Sequence, residues 1–274
     1  RIIWRFVPDV IIGLGGYASG PVALAAKSAK KRIVIHEQNI LPGFTNRVLG
    51  YLADRVFISF PDDYKRFKPS KTVITGNPVR QELLKSKSEN KGTAPFKVLI
   101  VGGSQGAHAI NRAVIEALDH LKRPAQMLFV HQTGAKDAPW VRKAYESRGI
   151  EAEVEPFFLD MARPYANAHV VVCRAGATTV SELMALGKPA IFIPFPFAAN
   201  NHQELNARYV ADTGGAEVIL EKDLNGPVLA ARVDYYMSHP EALSEMTKRT
   251  RMLAFPDAAH VIVDECWRLG GFRG

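Results

Sequence analysis

The chain has 274 residues, of which 47% are hydrophobic and 23% charged, and a net charge of +8. That length suits two domains of about 100 to 150 residues and excludes a small stapled module. No apolar run approaches the roughly 18 residues of a membrane-spanning helix, and Cys173 and Cys266 stand far apart, without a CxxC or a histidine pair, so they read as reduced thiols rather than a disulfide or zinc scaffold.

The excess of positive charge favours an acidic partner: a phosphate-bearing ligand, an anionic lipid surface or nucleic acid. The first residues, Arg1-Ile2-Ile3-Trp4-Arg5-Phe6, mix aromatic, aliphatic and cationic side chains as the end of an interfacial helix does. Equally, Ile2, Ile3 and Phe6 can be the core face of an ordinary helix. Lys27, Lys30, Lys31 and Arg32 add a basic cluster nearby in the sequence. The opening Arg1, where Met is usual, is expected of a fragment.

Short runs rich in Val and Ile follow in chain order, at Asp9–Leu14, Arg32–His36, Arg55–Ser59, Thr72–Thr75, Lys97–Val101, Met127–His131, His169–Cys173, Ala190–Pro194 and Ala216–Leu220. Such runs are expected of strands buried on both faces. Helical periodicity lies between most of them, as at Ala109–Leu121 and Thr179–Leu186. Strands alternating with helices predict an α/β protein with right-handed parallel sheets. The polar, basic stretch 81–95 (QELLKSKSENKGTAP) breaks this rhythm and reads as a connection between residues 1–80 and 96–255. Similar units begin on either side of it, PDVIIGLGGYASGP and FKVLIVGGSQGAHAIN, so two Rossmann-like halves with a ligand cleft between them are expected. In the tail, 256–274, Val261, Ile262, Cys266 and Leu269 fall on helical spacing and would pack back on the first half.

Three glycine turns follow strands. The first, Gly15-Gly16-Tyr17-Ala18-Ser19-Gly20-Pro21, is either a tight connection or a polar-ligand turn. The second, Gly102-Gly103-Ser104-Gln105-Gly106-Ala107, opens a helix and so offers an anion site, but it matches neither the dinucleotide fingerprint nor a P-loop. The third lies in CRAGATTVSELMALGKP, residues 173–189. There Gly176 permits the turn, Thr178 or Thr179 can cap the helix, and the amides of Ala177, Thr178, Thr179 and Val180 would face a phosphate. Glu182 either accepts from two ribose hydroxyls or closes a capping box with Thr179. His36-Glu37-Gln38-Asn39 is a polar cluster at a strand's carboxyl end, where α/β folds bind ligands. His131, at another strand end, is left open, and His108, His120, His169, His239 and His260 read as structural or surface residues.

GGYASGP, HEQN, TGNPVR, GGSQGA and RAGATTVSEL occur in an order that resembles the MurG family, the bacterial UDP-N-acetylglucosamine transferases of glycosyltransferase family 28. FFLDM (157–161) and NNHQELNA (200–207) fit the same pattern, and the resemblance spans essentially the whole chain. It implies a GT-B fold, with donor in the C-terminal domain and lipid-linked acceptor against the N-terminal one. The implied reaction transfers GlcNAc from UDP-GlcNAc to the 4-hydroxyl of the N-acetylmuramyl sugar of lipid I, inverting the anomeric centre, with no cofactor and no metal. The lack of an Asp-x-Asp agrees with that.

By resemblance, Phe158 lies along the uracil, Glu182 binds the ribose, and Ser104 with residues 177–181 (Ser181 included) faces the diphosphate. Gln203, beside His202 and Asn206, meets the GlcNAc hydroxyls, and Arg80 and Asn39 also reach the donor. Tyr17, Ser19, Asn39 and Asn46 belong to the acceptor side, and Glu37 is the candidate general base. The family docks peripherally on the cytoplasmic leaflet, so an anionic membrane surface is an expected partner. Nucleic acid is not, because no aromatic-interleaved basic stripe appears. The family's N-terminal GGxGGH loop, with its histidine, is absent from this sequence. The alternatives are a different GT-B enzyme, such as a glycolipid glycosyltransferase or a UDP-GlcNAc 2-epimerase, or a chain that binds UDP-sugar without turnover.

Overall fold

The computed structural model describes residues 2–86, 95–103 and 106–271. By internal contacts the chain divides into two compact units, Arg1–Val79 with Phe255–Gly274, and Arg80–Ala254.

The first unit begins with α1 (Ile2–Phe6), β1 (Val10–Gly13), α2 (Gly16–Ser28), β2 (Arg32–Glu37), α3 (Phe44–Leu52), β3 (Arg55–Ile58) and β4 (Thr72–Ile74). Its four strands pair in parallel in the order β1-β2-β3-β4. Side chains on a strand alternate between faces, and β2 shows why its apolar run is unbroken. Ile33 and Ile35 pack with Ala23, Ala26 and Leu49 of α2 and α3, whereas Val34 joins a second cluster on the opposite face. In α1, Ile3 enters the first of these clusters, whereas Trp4 is 77% and Phe6 81% exposed. Phe6 therefore is not a core residue, which corrects the reading of this segment as a simple core face.

The second unit runs α4 (Gln81–Lys85), β5 (Phe96–Val101), α5 (His108–Ala117), β6 (Met127–Gln132), α6 (Ala138–Glu146), β7 (Ala152–Glu155), α7 (Ala162–Asn167), β8 (Val170–Cys173), α8 (Ala177–Leu186), β9 (Ala190–Phe192), α9 (His202–Ala211), β10 (Ala216–Val218), α10 (Gly226–Ser238) and α11 (Pro240–Met252). Six parallel strands pair in the order β10-β9-β8-β5-β6-β7. Val98, Ile100, Val170 and Val172 on one face of the sheet pack with Ile110, Val114, Leu229 and Val233 of α5 and α10. Two features depart from the sequence pattern. Strand β7 reads Ala-Glu-Val-Glu, with only Val154 buried, because it is an edge strand paired to β6 alone. The polar stretch after Arg80 starts with helix α4, whose Leu83 is 2% exposed.

The chain then returns to the first unit through α12 (Ala258–Gly270). Ile262 packs on Val34 and Phe57, with Cys266 and Leu269 partly buried beside them, so α12 covers the sheet face opposite α2 and α3. The crossing point is tight. Gly76 has φ +77°, and a Cβ there would sit 2.1 Å from that of Phe255.

Candidate functional site

In the second unit the chain leaves β5 towards β6 and β7, then comes back to place β8 on β5's other side. The carboxyl ends of β5 and β8 thus form the switch point at which a doubly wound sheet binds its ligands. Glycine is required at the turn after β5. A Cβ on Gly102 would lie 2.8 Å from the Ala107 nitrogen, and one on Gly106 would lie 2.6 Å from the Thr133 carbonyl oxygen. The Gly102 amide donates to the Gln132 carbonyl at 3.0 Å. Ser104 and Gln105 lie outside the described residues.

The turn after β8 leads into α8 with Gly176 as N-cap, φ −62° and ψ 144°, and no side chain caps it. This corrects the expectation that Thr178 or Thr179 caps the helix. The first intrahelical bond runs from the Val180 amide to the Gly176 carbonyl at 2.9 Å. Val180 therefore has no amide to offer a phosphate, and the donors at this helix start are those of Ala177, Thr178 and Thr179. Three convergent amides at the positive end of a ten-residue helix suit an anion. Ser181 is 5% exposed, and its hydroxyl oxygen is buried with no hydrogen-bond partner.

Glu182 is 7% exposed and forms no capping box with Thr179. Its Oε1 accepts from Arg80 at 3.3 Å and its Oε2 from the Tyr165 hydroxyl, also at 3.3 Å. Burial pushes its carboxyl above the ordinary value, against the opposing pull of Arg80 and the Tyr165 hydrogen bond. Burial also raises the Tyr165 hydroxyl well above its usual range, with the Glu182 charge adding to the effect, so it stays a donor. The result is a buried carboxylate held by two long bonds at the edge of an anion site, which suits a vicinal diol beside a phosphate.

The remaining residues expected around the donor are distributed unevenly. Phe158 is 8% exposed and its neighbours Phe157 and Leu159 are 53% and 91% exposed, so Phe158 serves as a wall packed into the unit rather than an open platform. Its amide donates to Gln132 Oε1 at 3.1 Å. At the start of α9, Asn200 and Asn201 both have positive φ, 53° and 55°, a conformation that asparagine tolerates better than most residues. His202 donates from Nδ1 to the Ala199 carbonyl at 2.7 Å, and Gln203 Oε1 accepts from the Phe195 amide at 3.0 Å. Gln203 thus braces the loop after β9. Asn206 is wholly buried and donates to the Ala175 carbonyl at 3.3 Å. This corrects its expected place against a sugar: it supports the turn from beneath. Arg174 ties the same region together, donating to the carbonyls of Ile193 and Pro194 and pairing with Glu221.

In the first unit, Gly15 and Gly16 have φ of 84° and 72°, and α2 begins at Gly16. Tyr17 is fully exposed there. Ser19 donates to the Gly15 carbonyl at 2.5 Å, so its proton is committed locally. Asn46 is 1% exposed and lies against Gly15, where a Cβ would come 3.2 Å from its Nδ2. Its Nδ2 donates to the His36 carbonyl at 3.1 Å and to Glu37 Oε2 at 2.8 Å, leaving a buried Oδ1 without a partner.

Glu37 is 3% exposed. Its Oε1 accepts from the Asn39 amide at 2.9 Å and from Asn39 Nδ2 at 3.4 Å, and its Oε2 from the Gly43 amide at 3.1 Å and from Asn46. A carboxylate so enclosed is a structural clamp for the loop before α3, which corrects its reading as the general base. His36 is equally committed. Its Nε2 donates to the Gly76 carbonyl at 3.0 Å, its Nδ1 accepts from Gln38 at 3.2 Å, and burial lowers its pKa.

Sequence reasoning missed Gln132 and Tyr165. Gln132 carries the signal that marked His36, a polar residue at a strand's carboxyl end, whereas nothing local marks Tyr165. His131 is a structural residue. It is wholly buried between Asn111 Oδ1 at 3.0 Å and the Tyr145 hydroxyl at 3.2 Å, and burial lowers its pKa to about 3. Among the described residues no cluster of three or more His, Cys, Asp or Glu could hold a metal ion.

A model of the glycosyltransferase family 28 C-terminal domain matches residues 97–262, and one of the family 28 N-terminal domain matches residues 1–58. The chain is 46% identical over 273 residues to a protein of Geotalea uraniireducens (strain Rf4) named UDP-N-acetylglucosamine--N-acetylmuramyl-(pentapeptide) pyrophosphoryl-undecaprenol N-acetylglucosamine transferase; the match covers 98% of this chain and 75% of the relative. A protein of the same name from Geobacter sp. (strain M21) is 47% identical over 266 residues, covering 96% of this chain and 72% of the relative. The crystal structure of Acinetobacter baumannii MurG superposes with a TM-score of 0.83 at 34% identity, covering 98% of this chain and 77% of that one. A putative UDP-N-acetylglucosamine 2-epimerase from Listeria monocytogenes shares the fold, with a TM-score of 0.72 at 15% identity, covering 97% of this chain and 76% of that one.

Proposed function

The chain belongs to glycosyltransferase family 28, in its MurG branch, and we propose that it acts in the transfer of GlcNAc from UDP-GlcNAc to lipid I during peptidoglycan synthesis. The observation that carries this reading is the pairing of Glu182 with the start of α8. Three amides there suit the diphosphate, and the carboxylate one helical turn on suits the ribose diol. In the same reading Phe158 walls the uracil, Gln203 and His202 face the sugar, and Arg80 stands beside the ribose.

A departing UDP gathers negative charge, and preorganised amides with the Arg80 guanidinium can stabilise it without a metal. Direct displacement by the acceptor 4-hydroxyl inverts the anomeric centre. That hydroxyl needs a base. Neither His36 nor Glu37 offers an open lone pair for its proton, so their part is to hold the acceptor-side loops carrying Tyr17, Ser19, Asn39 and Asn46.

Exposed Trp4 and Phe6 beside Arg5, with Lys27 and Lys30 exposed in the same unit, suit peripheral docking on an anionic leaflet. Among the described residues no helix is long and apolar enough to cross a membrane.

Calorimetric titration of the 274-residue chain with UDP tests the donor reading, and incubation with UDP-GlcNAc and lipid I tests transfer. Saturable UDP binding that UDP-GlcNAc displaces is the expected outcome. A chain that ignores UDP at millimolar concentration would overturn the reading.

A further inference from the structure

Gln132, the last residue of β6, holds two turns at once. Its backbone carbonyl accepts from the Gly102 amide at 3.0 Å, fixing the glycine turn after β5. Its side-chain Oε1 accepts from the Phe158 amide at 3.1 Å, fixing the turn after β7. The two following residues reinforce the second attachment, with the Thr133 amide donating to the Glu155 carbonyl and the Gly134 amide to the Pro156 carbonyl, both at 3.0 Å. Among the described residues only the Gln132 link reaches past Pro156 to Phe158 itself, and it does so from a side chain 3% exposed.

A carboxamide is costly to bury unless it is bonded. An apolar residue would pack against the neighbouring strands as well, so the polar group is explained by what it holds. We propose that Gln132 is a positioning residue of the donor site: its carboxamide sets the Phe158 wall against the nucleotide base, while its main chain holds the phosphate turn in register with it. The inference rests on the reading of Phe158 as the wall of the base pocket, and it adds base recognition to the function of a residue that does not itself touch the ligand.

The test compares Gln132→Leu, which removes the acceptor, with Gln132→Glu, which keeps one, and with Phe158→Ala. UDP, uridine and inorganic pyrophosphate are titrated calorimetrically into each full chain, and amide exchange at Phe158 is followed by NMR. Loss of one buried hydrogen bond is expected to weaken UDP about tenfold in Gln132→Leu and uridine by a similar factor, with pyrophosphate unchanged. The Phe158 amide should exchange at least about tenfold faster, and Gln132→Glu should recover most of both effects.

Equal loss of UDP and pyrophosphate would mean general damage to the unit and would overturn the inference, as would unchanged uridine binding in Gln132→Leu while Phe158→Ala weakens it. Unchanged uridine binding in Phe158→Ala would instead sink the underlying reading of Phe158. If Gln132→Leu is too unstable to titrate, the exchange rate at Phe158 and the uridine affinity of Gln132→Glu decide: normal values sustain the proposal, and a Phe158 amide that exchanges freely despite native uridine affinity refutes it.

Discussion

Glu37 and Glu182 are both buried carboxylates near the carboxyl ends of parallel strands, yet they are held in opposite ways. Glu37 accepts from four donors drawn from Asn39, Gly43 and Asn46, with the strongest at 2.8 and 2.9 Å. Glu182 accepts from two, each at 3.3 Å, and one of these comes from Arg80, whose side chain is 55% exposed. A carboxylate has about four acceptor positions. Glu37 has filled them within its own loop, and Glu182 has filled only two. The first arrangement fixes a backbone, and the second leaves acceptor positions open. Burial alone does not distinguish a site residue from a structural one; the count and length of its existing hydrogen bonds do.

The largest expected effect follows from breaking the filled clamp. Glu37→Ala leaves the Gly43 and Asn39 amides and the Asn46 carboxamide without their acceptor. Buried unpartnered donors cost about 1–3 kcal/mol each, with water recovering part of the loss, so denaturant unfolding of the first unit should show a loss of about 3 kcal/mol or more. UDP affinity, which the proposed function places in the second unit, should stay within twofold. A stable Glu37→Ala chain that has lost only turnover would restore Glu37 as the general base.

Breaking the open carboxylate should do the reverse. Hydrogen bonds to a charged group are worth about 1.5–3 kcal/mol, so Glu182→Gln should weaken UDP roughly tenfold to a hundredfold. It should not destabilise the unit at pH 7. The raised pKa of Glu182 means that burying its charge costs the folded state more than Arg80 and Tyr165 return. A variant that binds UDP poorly while unfolding at or above the wild-type midpoint would carry the signature of a residue kept for function. Unchanged UDP affinity would count against the ribose role.

The comparison also shows what a sequence conveys and what it withholds. The runs RIVIH and KVLIV announce buried strands because both of their faces are covered, and the glycine turns after them are legible because strand, turn and helix are contiguous. Strand β7 is illegible for the opposite reason: an edge strand needs only Val154 inside, and its two glutamates face out. Glu182 could be placed on a helix start, but its partner Arg80 lies 102 residues away, and proximity at that separation is set by packing rather than pattern. Gln132 and Phe158 are 26 residues apart, and Asn206 supports Ala175 across 31. The motif order pointed to the candidate site, and the hydrogen-bonding roles within it came from these non-local bonds. That is why Glu37 and Asn206 read as ligand contacts in the sequence and as braces in the structure.

The smallest effect sharpens the comparison most, because it changes one donor without removing the carboxylate. Two groups bear on Glu182, Arg80 ahead of α4 and Tyr165 on α7, while the Glu182 charge in turn raises the Cys173 thiol on β8. Burial holds the Cys173 thiol and the Tyr165 hydroxyl in their neutral forms, and it raises the Glu182 carboxyl above its ordinary value. Its folded pKa lies above its unfolded one. Its contribution to stability is therefore fully present below pH 4.5 and is lost as the pH rises through the folded pKa. In the proposed ribose role Glu182 must be ionised, so binding should run the other way and weaken as the pH falls through the folded pKa. Tyr165→Phe removes a hydrogen bond made to that ionised form, which raises the folded pKa further. UDP affinity at pH 7 should fall only about threefold, the worth of one modest hydrogen bond. The acid limb of its pH profile, traced by calorimetry between pH 5 and 8, should move to higher pH. A profile that keeps its position in Tyr165→Phe would show that Tyr165 merely packs against Glu182, and that Arg80 alone holds the carboxylate open for its ligand.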